Sequence, residues 1–273
     1  MSIIEILKAV LFGIVEGITA WLPISSTGHM ILLNEFVKLN VTDEFWEMFL
    51  VVIQLGAILA VILLFFPRLW PFSFKRKFFI KTETFSMWFK IVAACIPAAV
   101  VGILFDDKLN ELFYNYIVVS ISLIVFGLLF IIIEFQNRNM KVKVKRIADI
   151  TYPMAIWIGA FQLIAAVFPG TSRSGATILG AIMIGISRTV AAEFTFFLAI
   201  PVMLGASLLK VLKFGFVFTQ MELILLAVGM IVAFLVSVAV IKLLLGYIRK
   251  HSFVAFGWYR IILGIAVLAY FWS

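Results

Sequence analysis

A carboxylate, a run of hydroxyls and an imidazole crowd one stretch of this chain, Glu16-Gly-Ile-Thr-Ala-Trp-Leu-Pro-Ile-Ser-Ser-Thr-Gly-His29. Polar and ionisable groups inside an apolar segment are expensive, so by default they mark a functional site. Ser26 lies three residues from His29, within reach of the imidazole as its base, a common way to activate a hydroxyl for attack. The plainer reading makes His29 a satisfied core histidine. Glu16 could orient His29, act as an acid or base, or hold a hard divalent cation such as Mg2+ or Ca2+, which choose carboxylate and phosphate oxygens. Ser25 and Thr27 add hydroxyls to the same turn.

A second polar cluster reads Phe168-Pro-Gly-Thr-Ser-Arg-Ser-Gly-Ala-Thr177. Shifted by 146 residues without a gap, Gly13 falls on Gly159, Glu16 on Gln162, Pro23 on Pro169 and Ser26 on Ser172. Two copies of one broken hydrophobic segment suggest two halves whose tips meet in a single site. Each tip gathers hydroxyls, backbone N–H groups and a helix N-terminus, which favours an anion and especially phosphate. Arg173, between Ser172 and Ser174, adds a planar fork that matches phosphate geometry. Its alternative role is a structural partner for a carboxylate. Gln54 and Thr177 are candidates for hydrogen bonds to a bound headgroup. Arg260, inside the last apolar run, needs a partner or a phosphate, while Glu193 opens a span and serves either as a cap or in function.

The elements that must position these groups are membrane helices. Of 273 residues, 64% are hydrophobic, the mean hydropathy is +1.19, and the apolar runs are about as long as a bilayer core is thick. The net charge of +8 is not read as nucleic-acid binding, because the basic residues cluster in loops, as topology signals do. The single Cys95 excludes an intramolecular disulfide and a cysteine-based metal site. The first segment lacks a leader's cleavage pattern and is expected to stay in the mature chain.

Residues 3 to 40 and about 153 to 187 read as two re-entrant helical hairpins. For the first, the alternative is a simple span over 3–22 with the serine turn at the interface. A second short helix is expected to start near His29. Six transmembrane helices are predicted at 46–66, 86–105, 115–135, 191–213, 221–245 and 254–272, with a loop at Asp106–Glu111. The basic segments at 67–85 (Arg68, Lys75, Arg76, Lys77, Lys81), 136–150 and 246–253 are assigned to the cytoplasm by the positive-inside rule. Each half, 1–135 and 151–273 with 136–150 as linker, then holds one hairpin and three spans, so the second half is inverted. The fold class is an all-α integral membrane protein with an inverted-topology repeat.

The motifs Val15-Glu-Gly17, Leu22-Pro-x-Ser-Ser-Thr-Gly-His29 and Pro169-Gly-x-Ser-Arg-Ser-Gly-Ala-Thr177, with Val51-Val-Ile-Gln-Leu-Gly56 and the Tyr259–Arg260 pair, closely resemble the bacterial undecaprenyl-diphosphate phosphatase family, linked to bacitracin resistance. The resemblance covers essentially the whole chain. It implies removal of the terminal phosphate from a C55 isoprenyl diphosphate, recycling the lipid carrier of cell-wall synthesis at the bacterial cell membrane. It also implies an active site open to the outer face, a divalent metal requirement and a homodimer. Glu16 would be acid, base or metal-associated, Ser26 the nucleophile and His29 its base, with Arg173, Ser172, Ser174 and Thr177 holding the diphosphate. One position departs: the family pattern Glu-Gly-x-Thr-Glu carries a second glutamate where this chain has Ala20, so either the chain is a natural variant that compensates or the glutamate has been replaced and catalysis is impaired. The competing reading is a lipid-phosphate transporter or flippase, which needs binding groups but no nucleophile and base.

Overall fold

The computed structural model describes residues 3–72 and 80–272, the side chains of Asp106, Asp107, Asn110 and Asn139 aside. Lys75, Arg76 and Lys77 of the first basic segment lie outside the described residues. The chain is all-helical: α1 (Ile3–Thr19), α2 (Ser26–Phe36), α3 (Asp43–Val52), α4 (Gln54–Leu69), α5 (Thr82–Phe113), α6 (Tyr116–Gln136), α7 (Tyr152–Val167), α8 (Arg173–Met183), α9 (Arg188–Phe214), α10 (Gln220–Ile248) and α11 (Val254–Trp272). Six stretches are long and apolar enough to cross a membrane: Asp43–Leu69, Thr82–Phe105, Tyr116–Gln136, Arg188–Phe214, Gln220–Ile248 and Val254–Trp272. Large apolar side chains such as Leu63, Ile103, Leu235 and Ile262 point outward, as a multi-pass membrane protein requires.

Three sequence expectations change. The stretch from Asp106 to Glu111 is not a loop but the last turns of α5, which runs on to Phe113; it contains no Pro or Gly to stop it. The span expected at 46–66 is two helices broken at Ile53, whose N–H still bonds the Phe49 carbonyl at 3.0 Å while Gly56 turns back to the Ile53 carbonyl at 3.1 Å. Finally, α2 begins at Ser26 rather than near His29, because Ser25 caps it, its side chain accepting from the Gly28 N–H at 3.5 Å.

The packing has an internal correspondence. Pair α1 with α7, α2 with α8, α3–α4 with α9, α5 with α10 and α6 with α11. The main packed pairs then exchange: α1 on α10 becomes α7 on α5, α4 on α10 becomes α9 on α5, and α6 on α11 maps to itself. Each first helix of a pair therefore packs on the other half of the chain. Both contacts need glycine. A methyl at Gly13 would lie 2.7 Å from the Gly229 carbonyl oxygen, and one at Gly159 would lie 2.4 Å from that of Ala94. Backbones at such distances exclude any side chain, which is how close-packed membrane helices are built. The main core joins Trp21, Phe130, Phe196 and Phe197 from both halves.

The three basic segments meet at one end of the bundle. The 136–150 linker docks there through a bridge between Val144 and Ile186, and Lys145 and Arg146 line a cavity with Arg68 and Arg249.

Candidate active site

Both breaks, between α1 and α2 and between α7 and α8, are built alike. Ser25 and Ser172 are the two described non-glycine residues with left-handed backbone, at φ of 71° and 69°. Each caps its helix: Ser172 Oγ accepts from the Gly175 N–H at 3.1 Å, as Ser25 does from Gly28. Strain of roughly 1–3 kcal/mol is usual for such a backbone and concentrates at functional sites. The structural twin of Ser172 is thus Ser25, not Ser26, and Ser26 matches Arg173. The second turn holds one residue more between Gln162 and its cap than the first holds after Glu16, so the ungapped shift fails at the turns.

The turns touch. Ser174 Oγ donates to the Leu22 carbonyl at 3.3 Å and sits 3.2 Å from Ser172 Oγ. Arg260, 0% exposed, ties them from α11. Its Nη1 donates to Pro23 O at 3.2 Å, and its Nη2 to Gly170 O at 3.1 Å and Thr171 O at 2.6 Å. The rings of Phe126 and Phe130 lie 5.8 and 5.9 Å from its guanidinium carbon. Arg260 is therefore a strut under both turns, while its Nε has no partner among the described residues. The buried hydroxyl of Thr177 donates to the Arg173 carbonyl at 2.9 Å and meets Thr195 Oγ1 at 2.9 Å, fastening α8 to α9. Gln54 donates to Leu50 O at 3.3 Å within its own helix break. Glu193 pairs with Arg68 at 2.8 Å, a structural ion pair.

Around the joined turns, buried polar atoms stand without hydrogen-bond partners among the described residues: Glu16 Oε1, Arg173 Nε and Nη1, both amide atoms of Gln162, and Trp21 Nε1. Glu16 is 1% exposed, and its charge and that of Arg173 act on each other without a direct ion pair. Such a concentration of unsatisfied groups points to a ligand, since native interiors leave very few. The capped N-termini of α2 and α8 present their remaining first-turn N–H groups to it, an anion cradle. Ser26 and Thr27 are half-buried there.

His29 Nδ1 lies 2.7 Å from the Ser25 carbonyl and its Nε2 2.7 Å from the Tyr259 hydroxyl, with the two rings stacked within 8°. A carbonyl can only accept, so Nδ1 carries the hydrogen, and in the neutral ring Nε2 accepts from Tyr259. Both ring nitrogens are taken by Ser25 and Tyr259, and the Ser26 hydroxyl is unpartnered among the described residues. Sequence reasoning also gave no part to Cys95, which lies beside Gln162 and in range of the Arg173 charge. The apolar run around it carried no signal. Nor did it find the buried Glu134, which Arg188 grips through Nε at 2.9 Å and through Nη2, and which accepts from the Phe253 N–H at 2.9 Å.

The donor set also bears on a cation. Among the described residues no group of three or more His, Cys, Asp or Glu converges, which leaves one orphaned carboxylate oxygen on Glu16. That fits a hard cation that takes most of its ligands from a bound phosphate and water, as Mg2+ does.

Arg173→Lys tests the fork. Lysine keeps the charge and loses the bidentate geometry. Turnover is expected to fall by about tenfold or more, from roughly 1.5–3 kcal/mol for a charge-assisted hydrogen bond. Unchanged kinetics would remove Arg173 from the site.

Comparison with known proteins places the geometry in context. The family model described as bacitracin resistance protein BacA matches residues 9–266. An undecaprenyl-diphosphatase of Desulfitobacterium hafniense is 64% identical, the match covering 99% of this chain and 98% of that protein. Undecaprenyl-diphosphatase 1 of Clostridium acetobutylicum is 65% identical over 99% of each, and an undecaprenyl-diphosphatase of Enterococcus faecalis is 58% identical over 98% of each. With the match running nearly end to end and carrying both serine turns, the chain belongs to the bacitracin resistance protein BacA family.

Proposed function

We propose that this chain hydrolyses undecaprenyl diphosphate to undecaprenyl phosphate and inorganic phosphate, recycling the lipid carrier of cell-wall synthesis. The observation that carries the reading is the meeting of unpartnered Glu16 Oε1 and Arg173 Nε and Nη1 at two capped helix N-termini. Arg173 and the first-turn N–H groups of α2 and α8 bind the diphosphate and offset the charge that develops when the P–O–P bridge breaks. Glu16 takes the proton from the attacking oxygen, or holds a divalent cation jointly with the phosphate oxygens. When bound, that cation withdraws charge from the phosphates. Ser26 Oγ, unpartnered and half-buried, is the hydroxyl free to attack the terminal phosphorus, expelling undecaprenyl phosphate, after which water cleaves the seryl phosphate ester to release inorganic phosphate; otherwise water attacks the diphosphate directly. His29 and Tyr259 fix the mouth of the turn, and Ser172 and Ser174 stiffen the second turn.

In this reading the two helix pairs are re-entrant hairpins of an inverted repeat, supported by the exchange of packed pairs between halves and by the twin capping serines. The active site opens to the outer face of the cell membrane, with the basic segments cytoplasmic, and the homodimer implied by the resemblance belongs to the same reading. In intact cells an impermeant maleimide is expected to label Glu111→Cys and spare Lys143→Cys. The reverse pattern would invert the assignment.

The reading includes impaired catalysis from Ala20. Its N–H bonds the Glu16 carbonyl at 2.9 Å, so position 20 is one turn beyond Glu16 on the same face. Ala20→Glu is expected to raise phosphate release from a polyprenyl diphosphate by at least about tenfold, within the range of general acid–base help, with less change in affinity. If neither protein releases phosphate, the hydrolase reading falls and the lipid-phosphate transporter replaces it. Equal, full activity in both would end the two-carboxylate idea alone.

A further inference from the structure

The end of the bundle where the basic segments meet holds a polar cavity, about 840 Å3, that shares no residue with the serine turns. A topology signal accounts for lysines in loops, but not for what lines this cavity. Lys90 is a residue of α5 only 9% exposed. Its ammonium reaches the Ala148 carbonyl at 3.5 Å, the outer limit of a hydrogen bond, and lies 5.9 Å from the Tyr152 ring. The carboxylates nearby are largely taken. Asp149 is held by Arg146 at 2.7 and 3.1 Å, Glu193 by Arg68 at 2.8 Å, and Glu83 lies within range of Arg146. Lys145 and Arg249 are left without a carboxylate partner among the described residues, and Lys90 shares the charge of Asp149 with Arg146. Two long helices also begin here: Thr82 and Glu83 open α5, while Ser187 caps α9 and Thr189 stands in its first turn.

A buried lysine whose one nearby carboxylate, Asp149, is already gripped by Arg146, two further uncompensated cations and two helix N-termini around one cavity have the composition of a phosphate site. The geometry points to a binding site here for a phosphate group, carried by an anionic lipid headgroup or as free phosphate, separate from the serine-turn site. It does not rest on the hydrolase reading.

The test uses the full chain carrying Arg173→Ala, so that phosphate at the serine turns does not contribute. Two probes are compared: inorganic phosphate by calorimetry, and nanodiscs of phosphatidylcholine with or without phosphatidylglycerol by thermal protection. The expected result is binding of at least one probe, weakened about tenfold by Lys90→Gln, as loss of one charged hydrogen bond predicts, and measurably by Arg249→Gln and Lys145→Gln. These two exposed positions carry the test if Lys90→Gln does not fold. Calorimetric binding assigns free phosphate, and protection by phosphatidylglycerol alone assigns a headgroup. Binding of neither probe, or binding that none of the three substitutions weakens, overturns the site.

Discussion

Glu16→Gln is expected to lower phosphate release by about a hundred- to ten-thousand-fold, the usual range for loss of a positioned acid or base. The amide matches the carboxylate in shape, so α1 should keep its packing on α10, and Gln162 already fills the corresponding place on α7. What disappears is the only negative charge facing Arg173 among the described residues and the oxygen available to a cation. Lipid binding should be retained, because Arg173 and the helix N-termini remain, and dependence on added divalent metal should weaken. The measurement is steady-state release alongside lipid binding, in whichever of the parent chain or Ala20→Glu turns over faster. Parent-like turnover with unchanged metal dependence would take Glu16 out of the chemistry.

Arg260→Met is expected to lower turnover by on the order of a hundredfold, the scale set by misplacing catalytic groups by about 1 Å. Methionine fills much of the volume between Phe126 and Phe130. It cannot donate to the carbonyls of Pro23, Gly170 and Thr171, each of which would cost about 1–3 kcal/mol if left buried and unpaired. Part of that is returned, since a buried guanidinium without a carboxylate is itself costly. The signature should therefore be a fall in kcat with a modest fall in Tm. Arg260→Lys, able to reach one turn at a time, should recover only part. Turnover within twofold of the parent, with stability intact, would show that the turns hold their register without the strut.

Much of this was legible from the residues. Apolar runs of bilayer length fixed six spans to within a few residues, because hydrocarbon leaves the backbone no choice but helix. Pro23, Gly170 and the serine runs marked the turns, since only a few residue types interrupt a helix at such depth. Glu16 and Arg173 stood out because their burial is expensive wherever it occurs. What stayed hidden depends on meetings between distant residues. His29 finds Tyr259 across the fold, a partner that its neighbourhood in the chain does not announce. That Thr177 and Arg260 also bond protein groups was hidden as well: each is a donor that must be satisfied, and only the packing shows the partners Thr195, Pro23, Gly170 and Thr171. The offset of one residue between the turns was invisible because Ser25 and Ser26 are chemically the same, and only the positive φ marks which one caps.

The crosswise packing of the halves also sets an order of events during synthesis. Gly13 and Glu16 belong to α1, yet the helix that packs on α1 is α10, made roughly two hundred residues later, and the arginine that ties their turn arrives later still, in α11. At roughly 5–20 residues per second, the first serine turn must wait on the order of ten seconds or more before its protein surroundings exist. Throughout that interval a carboxylate and the unpaired Pro23 carbonyl need water or a chaperoning insertase, because lipid cannot satisfy them. The nascent chain is therefore most exposed to misinsertion and proteolysis at the segment that later carries the chemistry, and a chain cut short before α11 would hold both serine turns with the Ser174–Leu22 hydrogen bond but without the arginine that ties them.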